Sequence, residues 1–136
     1  MTRHNRKSGF TLIELLIVMA ILALLAGLVG PTLWNKLGSA KSDTAATQIK
    51  SFEAALDSYR LDIGKYPKSM EDLVKNSSGK SRWNGPYIKK IPKDPWGNDY
   101  QYQQPGKHDN DYDLFSYGGD EQEGGEKKED QDITNW

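Results

Sequence analysis

One stretch limits what this chain can become. From Phe10 to Gly30 the only charged side chain is Glu14, and the rest are dominated by Leu, Ile, Val, Ala and Met. As a helix rising about 1.5 Å per residue, the run spans roughly 30 Å, the thickness of a bilayer core. Its apolar residues surround the whole circumference, so the helix must face lipid, other apolar helices, or both in turn.

Glu14 separates three readings of this run. A secretory signal peptide accounts for the basic leader with Arg3, Arg6 and Lys7, the apolar region, and small residues at Ala23 and Ala26. A single-span anchor accounts for the same features, with the leader cytoplasmic and the remainder outside. Neither gives the carboxylate a role, although such a group costs on the order of 2.5–3.5 kcal/mol at a bilayer centre and less near an end. The third reading gives it a partner. Lys7-Ser8-Gly9-Phe10-Thr11-Leu12-Ile13-Glu14 resembles the class III signal of type IV pilins and pseudopilins. The resemblance implies that a prepilin peptidase cuts between Gly9 and Phe10 and N-methylates Phe10. It also implies that Glu14 pairs with the N-terminal ammonium of a neighbouring subunit. Two charges that are each costly in an apolar bundle become tolerable when they neutralise each other, so burial of Glu14 favours the filament over the monomer.

The chain has 136 residues and formal net charge −1, enough for one modest domain beyond the apolar helix. Loss of residues 1–9 removes three positive side chains and takes the balance from −1 to −4. An acidic exported domain gives no support to nucleic-acid binding. There is no cysteine, so disulfide staples are excluded and the loops need another clamp.

Gly27, Gly30 and Pro31 predict a kink or a locally unwound turn near the membrane exit. Beyond it, Leu33, Leu37, Ala45, Ile49, Phe52, Leu56, Tyr59 and Ile63 recur mostly at three- and four-residue steps, predicting an amphipathic helix that packs on its own domain and ends at Gly64 and Pro67. Ser69 is the cap of a short helix through Leu73 and Val74, with Asp72 three residues on. Ser78-Gly79-Lys80-Ser81 imitates the end of a P-loop, but the earlier Gly and the preceding strand are missing.

Trp83 to Ile88 and Ile91 to Tyr100 read as irregular loops pinned by aromatic residues, with Trp96-Gly97-Asn98 a turn fixed by a packed indole. Pro92-Lys93-Asp94-Pro95-Trp96-Gly97-Asn98-Asp99-Tyr100 also resembles a block of the major pseudopilins of type II secretion systems. Residues 100–103 and 112–117 predict two antiparallel strands, with 133–136 a possible third. The expected fold is α+β and type IV pilin-like: a long N-terminal helix, transmembrane in its first half and amphipathic in its second, packed on a small antiparallel sheet of about three strands. The expected divisions are a leader at 1–9, a transmembrane and assembly helix at 10–32, and a periplasmic domain at 33–136.

Between Tyr117 and Ile133 lie seven carboxylates and four glycines. One reading is a solvated acidic loop. The other is a hard-cation site, since calcium takes six to eight oxygens and a Gly-rich loop can bend to supply them. The pseudopilin resemblance, which extends to Asp132-Ile133-Thr134-Asn135-Trp136, implies a calcium site with Asp120 and Asp132 as carboxylate ligands. It also implies the carbonyls of Tyr117 and Gln122, and Asp130 as a further candidate. Gln131, Thr134 and the segment Glu126-Lys127-Lys128-Glu129 depart from that family's pattern. Asp109-Asn110-Asp111-Tyr112-Asp113 imitates an EF-hand start but lacks its Gly and its bidentate Glu, and fits a solvated strand start better.

Catalysis has little footing, because His4 lies in the leader and His108 sits alone in a polar turn. The resemblance instead implies a non-enzymatic filament subunit, single-pass in the bacterial inner membrane with its C-terminal domain in the periplasm. Its partners would be copies of itself, minor pseudopilins, an inner-membrane assembly platform, the prepilin peptidase, and membrane lipid before assembly. The alternatives are a type IV or competence pilin, or a membrane-anchored calcium-binding domain that never polymerises.

Overall fold

The computed structural model describes residues 8–136, so Met1 to Lys7, most of the expected leader, lie outside the described residues. The elements are a helix α1 (Leu12–Ile63), a 3₁₀ turn (Met70–Leu73), strand β1 (Gln101–Gln103), strand β2 (Asp113–Ser116), a second 3₁₀ turn (Gly118–Asp120) and strand β3 (Ile133–Thr134). Two compact units divide after Leu37.

In the first unit the apolar part of α1 is exposed on every side, from Leu12 through Trp34 and Leu37. It is long and apolar enough to cross a membrane. Pro31 lies inside the helix without interrupting it, so of the kink or locally unwound turn expected there the unwound turn is absent. Proline removes one donor from the ladder, and the turns on either side keep their own bonds.

The second unit has one hydrophobic core. From α1, Ala45, Ile49, Phe52, Leu56 and Tyr59 are buried at alternating steps of four and three residues, the period of one helix face. Leu33 and Leu37, expected on that stripe, are exposed. The buried face begins instead at Gly38 and Ser42. Leu73, Tyr100, Tyr112 and Leu114 close the core, and Trp83, Tyr87, Ile88 and Ile91 pack at its edge. Phe52 meets Tyr100 edge to face, with ring centroids 5.1 Å apart.

Gly64, at φ 92°, ends α1 in the left-handed region that favours glycine. Ser69 caps the following turn as expected, but its side chain accepts from Glu71 rather than from the third residue, because the turn is 3₁₀ and tighter than an α-helix. The sheet is antiparallel in order β1-β2-β3, with Tyr102 opposite Leu114 and Ser116 opposite Ile133. β3 is two residues long, and Asn135 extends its pairing. Its backbone N–H donates to the Leu114 carbonyl (3.1 Å), its side-chain oxygen accepts from the Leu114 N–H (2.8 Å), and its side-chain amide donates to the Tyr112 carbonyl (3.2 Å).

The loop between the first 3₁₀ turn and β1 is held by its aromatic residues, as expected. The Trp83 indole N–H donates to the Asp72 carbonyl (2.7 Å) and the Tyr87 hydroxyl to Asp62 (2.7 Å). The turn at Trp96-Gly97-Asn98 has a different fastener from the indole. Buried Asp94 accepts from the N–H groups of Trp96 (3.0 Å) and Asn98 (2.9 Å) through one oxygen, and from the Ser116 hydroxyl (2.7 Å) through the other.

Asp113 corrects a second expectation. It is 1% exposed, so the strand start is not solvated. Its Oδ2 accepts from the Lys107 N–H (2.8 Å) and lies 2.9 Å from His108 Nδ1. Nor is His108 alone: its ring stacks on Trp136 at 3.8 Å between centroids.

Candidate functional site

Two places carry the candidate chemistry, one in each unit. At the start of α1, Ser8 to Thr11 are outside the helix and exposed. The Gly9–Phe10 peptide bond is therefore in open, non-helical backbone, Phe10 is 91% exposed, and nothing crowds Gly9. A peptidase needs its scissile bond in that state.

Glu14 lies in the first turn of α1. Its N–H donates to Thr11 Oγ1 (3.3 Å), and its Oε2 accepts from the Thr11 N–H (3.4 Å). This is a reciprocal capping box, which satisfies two of the donors that a helix start leaves open. The carboxylate also faces the positive end of the helix dipole. Thr11 is thus a functional neighbour that the sequence reading did not single out, although the Thr-x-x-Glu spacing is its signal.

The acidic segment Tyr117 to Asp132 is folded back on itself. Ser116 Oγ accepts from the Gly118 N–H (3.1 Å), and the Gly119 N–H donates to the Glu129 carbonyl (2.7 Å). Gly118 stands at φ 76°, and a Cβ there would lie 2.8 Å from the Gln131 carbonyl oxygen. At Gly125 it would lie 2.3 Å from that of Asp130. Only glycine lets the two arms approach so closely. The loop is also docked on α1, where Ser42 Oγ donates to the Lys128 carbonyl (3.2 Å) and Gly38 leaves room for the Glu129 side chain. Part of the fastening expected of a cation is therefore done by backbone bonds.

The five expected ligands all fall on this loop. Asp120 closes the second 3₁₀ turn and accepts from the Gln122 N–H through Oδ1 (3.1 Å). Tyr117 precedes that turn, and Glu121 follows it at φ 58°. On the returning arm the Asp130 N–H donates to the Lys127 carbonyl (2.9 Å). Asp132 Oδ2 accepts from the Gly124 N–H (3.0 Å), while its Oδ1 is buried with no hydrogen-bond partner. A buried acceptor left unmatched is costly, and a cation is one group that matches it. Among the described residues no three acidic or imidazole side chains converge, so carbonyl oxygens must supply much of any shell.

The Asp113 carboxyl shows what competing local forces do near the C-terminus. Burial pushes its pKa up, but the Lys107 N–H and the His108 ring outweigh burial and hold it below the ordinary value. Burial also raises the phenols of Tyr100, Tyr102 and Tyr112 well above theirs.

Comparison with known proteins gives concordant findings. Residues 32–136 match the family described as type II secretion system (T2SS), protein G, and residues 4–30 match the prokaryotic N-terminal methylation motif. The type II secretion system core protein G of Pseudomonas aeruginosa is 45% identical over 141 residues, covering 98% of each chain. Its counterpart in Vibrio cholerae is 43% identical over 142 residues, covering 100% of this chain and 96% of the relative. The crystal structure of the major pseudopilin from the type 2 secretion system of enterohaemorrhagic Escherichia coli aligns with TM-score 0.62 at 34% identity, over 78% of this chain and 95% of that one.

Proposed function

Because the chain belongs to the protein G family of type II secretion systems, we propose that it is the precursor of a structural, non-enzymatic pseudopilus subunit. A prepilin peptidase cuts between Gly9 and Phe10 and methylates Phe10. The apolar part of α1 then holds the subunit in the bacterial inner membrane, with residues 33–136 in the periplasm. From there it polymerises with copies of itself, alongside minor pseudopilins and on an inner-membrane assembly platform, into a filament that drives folded proteins across the outer membrane.

The observation that carries this reading is Glu14, the one charge in an exposed apolar helix surface. Before assembly Thr11 engages one of its carboxylate oxygens. In the filament, the ammonium of a neighbour's Phe10 pairs with the carboxylate. Removing one partner of a buried pair costs about 3–5 kcal/mol, because the other is left uncompensated. Glu14→Ala is therefore expected to insert into the membrane at wild-type level and to give no cross-linked ladder of subunits. A wild-type ladder from Glu14→Ala would contradict the assembly role and return the chain to a non-polymerising anchored domain.

The proposal includes a calcium ion in the Tyr117 to Asp132 loop. Asp120 and Asp132 each use one oxygen on a backbone N–H and keep the other for a cation. The carbonyls of Tyr117 and Gln122, and Asp130, complete the donor set, which is all oxygen as a hard cation requires. When bound, calcium neutralises carboxylates crowded on the two arms of the loop. The residues around it do the positioning: glycines let the arms meet, Ser116 and Ser42 tie them to β2 and α1, and Asp132 leads directly into β3.

A further inference from the structure

We propose that Trp34 is an interfacial anchor that sets the depth of α1 in the bilayer, with its indole at the outer headgroup level and Glu14 at the inner edge of the hydrocarbon. The proposal rests on the membrane-anchored reading of α1. Trp34 is 68% exposed, the sole aromatic side chain of α1 before Phe52, and stands between Leu33 and the first charges after Glu14. Asn35 and Lys36 follow it immediately. An indole has an apolar body and one N–H donor, which suits the boundary where hydrocarbon gives way to headgroups. Lys36 can extend its ammonium to the polar headgroup layer from the same level.

The spacing fixes the other end. Trp34 lies twenty residue steps beyond Glu14. At about 1.5 Å per residue that is about 30 Å, the hydrocarbon thickness. With Trp34 at the outer boundary, Glu14 and Thr11 fall at the inner one, where the capping box is hydrated. The carboxylate thus avoids the bilayer centre while the subunit waits, and meets an apolar environment only on assembly.

Because the chain has no cysteine, single replacements in the full chain map the boundary without background. Membrane vesicles of both orientations, from a host lacking the assembly machinery, are treated with an impermeant maleimide. Asn35→Cys should label from the periplasmic side, while Leu16→Cys and Leu28→Cys stay protected from both. Adding Trp34→Leu should draw the helix inward by about one turn, near 5 Å. Asn35→Cys labelling then falls several-fold and Leu16→Cys becomes reachable from the cytoplasmic side. Trp34→Tyr, which keeps an amphipathic ring, should restore the original pattern. An unchanged pattern in Trp34→Leu, or protection of Asn35→Cys in the otherwise native helix, overturns the anchor while leaving the span intact. Labelling of Leu16→Cys and Leu28→Cys in the native helix, with release by carbonate, overturns the span itself.

Discussion

Asp94→Ala should be among the most damaging single changes outside the core. The carboxylate is 4% exposed and accepts three hydrogen bonds, from the N–H groups of Trp96 and Asn98 and from the Ser116 hydroxyl. Hydrogen bonds to charged groups contribute about 1.5–3 kcal/mol each, but the three are not additive. Trp96 and Asn98 are both half-buried, so their two N–H groups can turn to water. Ser116 is fully buried and cannot. Its O–H donor, left without an acceptor, alone costs about 1–3 kcal/mol, and with the turn loosened the total should be about 3 kcal/mol. For a domain of this size each kcal/mol lowers the melting temperature by about 4–8 °C, so a loss above about 10 °C is expected. Asp94→Asn keeps one acceptor oxygen and offers an amide to Ser116 Oγ, and should lose about 1 kcal/mol. Near-ultraviolet circular dichroism of the full chain in detergent reads both. Equal melting temperatures for Asp94→Ala and the native chain would refute the reasoning, and so would equal losses in the two variants. Ser116 also accepts from the Gly118 N–H. Asp94→Ala should therefore weaken calcium binding in the adjoining loop as well.

Other outcomes follow from the same geometry. Asp113 has its folded pKa depressed, so its contribution is complete above the unfolded value near pH 4 and is lost as pH falls through the lower folded one. His108→Ala should leave the onset of that loss near pH 4 and shrink the urea stability lost below it, because one of the groups holding that carboxyl down is gone. Asn135→Ala strands the N–H of fully buried Leu114 and should cost about 1–3 kcal/mol in thermal or urea unfolding. Asn135→Asp keeps that acceptor and should cost less. Calcium at about 100 times its Kd should stabilise the native chain by about 2.7 kcal/mol. EGTA should reverse the gain, and Asp132→Ala should show none of it in a thermal scan.

What the sequence made legible was what depends on neighbours along the chain. The stripe from Ala45 to Tyr59, the stop at Gly64 and the Ser69 cap are local patterns, and the structure carries each of them. Leu33 and Leu37 have the right spacing for the same stripe but remain exposed, since periodicity does not say where the covering domain begins. Gly38 and Ser42 mark that point only because a segment about ninety residues later lies against them. Asp113 departs from its local pattern for a similar reason. Alternation along 109–113 points to solvent, whereas Lys107 and His108 fold back over the carboxylate and Trp136 covers the imidazole. The positions of the five candidate cation ligands on one loop follow from sequence. The unpartnered Asp132 Oδ1 required the fold.

The central claim is that this chain is a precursor processed for assembly. Intact mass with N-terminal fragmentation, on protein from a host that has a prepilin peptidase, tests it most directly. A processed precursor yields a chain that begins at N-methylated Phe10 and has lost Met1 to Gly9. A chain that retains those residues, or one cut near Ala26, would contradict it.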